Sequence, residues 1–95
     1  MYAVIRESAS PSVPTEQLRA GRTEFEALRA RQPGFVGSLT VEIGDGKRAL
    51  VTVWESQQAQ QASTAVMAPQ AERLTGATSR IIYQGEVSGN DLTGR

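Results

Sequence analysis

Ninety-five residues make one domain, and a chain of this size buries only about 60–65% of the surface its unfolded form exposes, so it is marginal alone. Ten Lys and Arg balance ten Asp and Glu, with no basic stripe on any segment, which leaves nucleic acid and anionic membrane without an electrostatic claim and favours a small-molecule or protein partner. The chain has no Cys and no His, which excludes thiol nucleophiles, Cys/His zinc sites, haem held by histidine and imidazole acid/base catalysis.

The apolar opening Met1-Tyr2-Ala3-Val4-Ile5 is interrupted by Arg6 and Glu7, too soon for a signal-peptide core or a membrane span, so a cytoplasmic protein is expected. Tyr2 to Ser8 reads as a first strand. Pro11, Ser12 and Pro14 punctuate the link into a helix of about Pro14 to Arg31. Leu18, Phe25 and Leu28 fall near one stripe of that helix with Arg22 and Ala27 beside it, while Glu16, Arg19, Glu24, Glu26 and Arg29 are assigned to its outer faces. Pro33-Gly34 stops the helix. A second strand follows from Phe35 to Ile43, in which Phe35, Leu39, Val41 and Ile43 are expected on one face and Ser38, Thr40 and Glu42 on the other. Gly44-Asp45-Gly46 turns the chain into a third strand, about Lys47 to Glu55, apolar on both faces: Ala49, Val51 and Val53 on one, Leu50, Thr52 and Trp54 on the other.

Ser56 is suited to cap a second helix through Gln57, Gln58, Ala59, Gln60, Gln61 and Ala62, although Ala59 stands where a capping box would place Glu or Gln. Ala68-Pro69 is expected to restart it as a short segment carrying Ala71 and Leu74, ended by Thr75-Gly76. A fourth strand spans about Thr78 to Val87, with Ile81 and Ile82 on opposite faces. The expectation is a domain over 1–87 and a mobile tail over 88–95, which has little to bury.

The order β-α-β-β-α-β implies an α+β, ferredoxin-like sandwich: a four-stranded antiparallel sheet of order 4-1-3-2 with both helices on one face. Val4 and Ile5 on both sides of strand one, and the two-sided strand three, suit central positions. Two helices cover one sheet face only. The other would expose a larger apolar patch than monomers normally tolerate, so a sheet-on-sheet homodimer is expected.

Pro33-Gly34-Phe35-Val36-Gly37, the strand ending Val53-Trp54-Glu55-Ser56 and the helix after it make the chain similar, over about Met1 to Val87, to the antibiotic biosynthesis monooxygenase domains of the dimeric α+β barrel superfamily. The resemblance implies a dimeric α+β barrel and a ligand held between helices and sheet. It also implies a reaction drawn from a mixed set that includes cofactor-independent quinone-forming oxygenation and haem degradation. Many such proteins carry a histidine in the helix after the Trp-Glu pair. Here that helix offers Gln60, Gln61, Ala62 and Ser63, a departure that argues against haem degradation.

Oxygenation without metal or flavin needs a substrate that itself gives electrons to dioxygen, typically a phenol or hydroquinone held as its anion; no cofactor is then required. Trp54 could stack on such a ring, and Arg6 or Arg80 could hold the anionic oxygen, with Tyr83 nearby; no catalytic residue is assigned. Each candidate also has a plainer reading. Trp54 fits a core position under the second helix, Arg6 and Arg80 fit ion pairs with Glu7, Glu55 or Glu86, and Tyr2 and Tyr83 fit sheet packing. Three functions follow: a monooxygenase-like enzyme for a small aromatic or polyketide-like molecule, a non-catalytic homodimer that binds such a molecule, or a structural module without a pocket. No nucleic acid, membrane or metal partner is expected.

Overall fold

The computed structural model describes residues 1–9, 16–75 and 78–89. Its elements run β1 (Tyr2–Ala9), α1 (Glu16–Ala30), β2 (Phe35–Gly44), β3 (Lys47–Trp54), α2 (Gln57–Thr75) and β4 (Thr78–Glu86). The sheet order β2-β3-β1-β4, antiparallel throughout, is the expected split βαβ arrangement with β1 and β3 at its centre. Pro11, Ser12, Pro14, Gly76, the side chain of Leu18 and the tail beyond Gly89 lie outside the described residues. Among the described residues, no helix is long and apolar enough to cross a membrane.

The β2–β3 hairpin closes through a two-residue loop, Asp45-Gly46, between the paired Gly44 and Lys47. Asp45 sits at φ 54° and Gly46 at φ 74°, the positive pair that a type I′ turn requires to match strand twist. At the other end of β2, Gly34 has φ 83°, and a Cβ there would lie 2.6 Å from that of Ala59. Only glycine permits that conformation and that approach. The Gly34 carbonyl accepts a 2.7 Å hydrogen bond from the Glu55 N–H, which ties the end of α1 to the end of β3.

The two helices also meet closely. A Cβ on Gly21 of α1 would fall 1.8 Å from the carbonyl oxygen of Leu74, so the crossing needs a residue without a side chain. Ser56 caps α2 as expected, its Oγ accepting from the Ala59 N–H at 3.1 Å. Pro69, however, does not restart a segment: it lies inside one continuous helix from Gln57 to Thr75. The missing N–H and ring clash of an interior proline cost about 3 kcal/mol. Buried Met67 on one side of it and half-buried Ala71 and Leu74 on the other hold the helix against α1 and the sheet.

Three one-residue slips in register decide which side chains face the helices. Between Phe35 and Gly37 the extra residue is Val36, between Glu42 and Gly44 it is Ile43, and between the partners of Ile5 and Arg6 on β4 it is Ile82. Each reverses the alternation beyond it. Phe35, paired with Trp54, therefore turns toward the helices and not, as expected, with Leu39 and Val41. Tyr2, Val4, Trp54 and Met67 are the buried apolar side chains among the described residues. Leu39, Val41 and Tyr83, on the helix-free face, are all more than half exposed.

Candidate functional site

Between the helices and the sheet lies a cavity of about 300 Å³. Its floor is the helix-facing side of the sheet: Arg48, Leu50, Thr52 and Trp54 at alternate positions of β3, Arg6 and Ser8 of β1, Thr40 of β2 and Ser79 of β4. The α1 wall is the stripe Arg22, Phe25, Glu26 and Arg29, spaced three, four and seven residues apart. The α2 wall repeats that spacing through Gln60, Ser63, Thr64, Met67, Ala68 and Ala71. Gln60 and Ser63 are both buried, so two polar side chains of α2 are spent on an interior wall.

At one corner the rings of Phe35 and Trp54 meet edge to face, with centroids 5.2 Å apart at 76°. The indole N–H of Trp54 donates to Thr52 Oγ1 at 3.1 Å within the buried interior. That bond fixes the ring and spends its polar handle, leaving the π surface as what Trp54 can offer a ligand.

Arg29, expected on the outer face of α1, instead turns inward and is only 7% exposed. Its guanidinium carbon lies 6.0 Å from the ring centroid of Phe25 and 5.8 Å from that of Phe35. Its Nη2 donates to Ser38 Oγ at a long 3.4 Å, and its Nε, fully buried, has no partner among the described residues. Burial pushes the arginine's pKa below its ordinary value, an effect the nearby Glu26 partly opposes. Arg6 is lowered by desolvation alone. Both keep their protons at any neutral pH, so the cavity holds cations partly stripped of water.

Of the residues expected at a site, Trp54 and Arg6 line this cavity and Arg80 and Tyr83 do not. The slip at Ile82 places both on the helix-free face, Tyr83 paired with Ile5 and Arg80 with Glu7. Tyr83 is 70% exposed, and Arg80 Nη2 donates to Glu7 Oε1 at 3.4 Å, the ion pair that was the plainer reading of that arginine. Tyr2 is buried, its hydroxyl donating to Gln84 Oε1 at 3.1 Å. The sequence did carry a signal for Arg29, because a residue four positions after Phe25 shares its helical face. Among the described residues, no group of three or more acidic, His or Cys side chains could hold a metal ion.

No family model and no curated protein matches the sequence. Solved structures do match. SnoaB, a cofactor-independent oxygenase from Streptomyces nogalater, superposes with TM-score 0.74 at 21% identity over 98% of this chain and 97% of its own. A protein from Nitrosomonas europaea, provisionally described as an antibiotic biosynthesis monooxygenase, gives 0.65 at 13% identity over 87% and 97%. The fold is the one these monooxygenase-type proteins share. MhuD of Mycobacterium tuberculosis, a haem degrader solved with two haems in its active site, has it too, with TM-score 0.54 at 23% identity over 96% and 99%.

Proposed function

We propose that the protein is a cofactor-independent monooxygenase-type enzyme for a small aromatic or polyketide-like molecule, acting as a homodimer. The observation that carries this reading is the cavity, walled by Trp54 and Phe25 and set with arginines, in a fold shared with a cofactor-independent oxygenase. In such a reaction an anthrone-type methylene becomes a carbonyl. The substrate supplies four electrons, one atom of dioxygen enters the product, and the other leaves as water. The ring anion is the reductant, so the protein's share is to bind the flat ring, stabilise its negative charge and exclude bulk water. Trp54 and Phe25 suit the first task, the arginines the second. Glu26 is the carboxylate among the cavity's described walls, which favours a substrate acidic enough to ionise with little help from a base.

The helix-free face supports the dimer: Leu39, Val41 and Tyr83 are all more than half exposed there, and β-branched residues of β1 and β3 lie beside them. Oxygen uptake with anthrone-type and hydroquinone-type phenols tests the reaction: turnover is expected from wild type, with a clear fall for Trp54→Phe. Binding of those phenols without oxygen uptake would replace the enzyme by a carrier of the same ligand.

A further inference from the structure

Arg29 is costly where it stands. Its charge is buried, its Nε finds no acceptor among the described residues, and its contact with Ser38 is near the limit for a hydrogen bond. Removing a guanidinium from water is repaid only by a well-placed anion and good hydrogen bonds. Here the protein supplies the faces of two phenylalanines, which attract a cation but accept no N–H in its plane. Glu26 lowers the cost without bonding: no hydrogen bond or ion pair joins it to Arg29. The Nε and Nη2 donors lie along one edge of a guanidinium, parallel and spaced for the two oxygens of a delocalised anion. On that edge Nε is unbonded among the described residues and Nη2 has only the long contact to Ser38.

Resting on the reading of this cavity as a ligand site, we propose that Arg29 is its anion receptor and that the ligand is a planar aromatic molecule bearing an oxyanion, which completes the hydrogen bonding of the Nε–Nη2 edge. The ring then lies toward Trp54, on the same cavity wall as Thr52 and Leu50. A neutral ring of equal shape offers that edge at most one uncharged acceptor and leaves the buried charge without a counterion, so the site selects by charge. Selection of this kind is steep, because a buried polar group left unpaired penalises the wrong ligand.

Calorimetric titration with naphthoate, with its neutral isostere naphthamide and with the acidic phenol dinitronaphthol tests this at neutral pH. Wild type is expected to prefer at least one of the two anions over naphthamide by about tenfold or more, as for hydrogen bonds to a charged partner. The anion with the larger preference tells whether the natural group is a carboxylate or a phenolate. Arg29→Gln should remove the preference, Arg29→Lys should keep part of it, and Arg80→Gln, on the opposite face of the sheet, should leave it intact. Equal binding of anions and naphthamide by wild type overturns the proposal even if Arg29→Gln fails to fold. So does a preference that survives in folded Arg29→Gln. Oxygen uptake without charge preference would leave the oxygenase reading standing and remove Arg29 from it; charge preference without uptake on any phenol would do the reverse.

Discussion

The two faces of this sheet divide in an unusual way for a small α+β domain. The face covered by helices carries the apolar core, Tyr2, Val4 and Trp54, at one end and Arg6, Ser8, Thr40 and Arg48 at the other, while the face without helices carries Ile5, Leu39, Val41, Val51 and Val53 beside the Glu7–Arg80 pair. Ordinarily the covered face is oily from end to end. Burying polar side chains under helices makes sense where their partner is a ligand, and exposing aliphatic ones where their partner is another sheet. On the proposed reading the covered face takes a molecule with polar atoms and the open one a second protein surface.

The largest break in that contrast should come from Trp54, the residue that anchors the covered face to a real core. It is 4% exposed and packs edge-on against Phe35. Trp54→Ala should cost about 4 kcal/mol in denaturant unfolding, and ligand affinity with it. On the open face, Leu39→Lys puts a charge where an aliphatic chain, 59% exposed in the protomer, is expected to meet its counterpart. Dimer dissociation should strengthen on the order of 100-fold, a hot-spot effect, with cavity binding by the protomer kept. Sedimentation of wild type as a monomer at micromolar concentration would remove the dimer and leave the open face unexplained.

Much of this contrast was legible in the sequence and part was not, for a definite reason. Strand order, the Asp45-Gly46 hairpin and the Ser56 cap follow from local signals, because turn chemistry and capping act over a few residues. The sides of Phe35, Arg80 and Tyr83 do not, because alternation counts residues, and a bulge at Val36 or Ile82 adds one that no residue type announces. The default that charges face water points Arg29 outward, against a periodicity that places it below Phe25. Pro69 reads locally as a break, yet local propensity yields to packing on both sides of it. The inward turn of Phe35 and the buried charge of Arg29, which together shape the site, are thus set by the bulge and by packing more than by residue type.

A finer test of the covered face removes one hydroxyl. Thr52 is 5% exposed and accepts the indole N–H of Trp54. Thr52→Val keeps the shape and strands that donor, which should cost about 1–2 kcal/mol in thermal or chemical unfolding. If the bond fixes the ring for stacking, ligand affinity falls along with stability. A stability loss with affinity unchanged would assign the hydroxyl to packing alone.

The smallest effect belongs to Ser56, which sits on neither face and so separates general stability from the functions assigned to them. Its Oγ takes the Ala59 N–H, satisfying one of the free donors of the first turn of α2. Ser56→Ala should lower stability by about 1 kcal/mol. Because Gln60, Ser63 and Met67 are seated further along the helix against the cavity, the folded variant should bind ligand and dimerise as wild type does. If instead Ser56→Ala weakens ligand binding in proportion to stability, then losses seen for Trp54 or Thr52 variants would reflect a loosened α2, and the separation of the sheet into a ligand face and a protein face would need variants that leave this helix untouched.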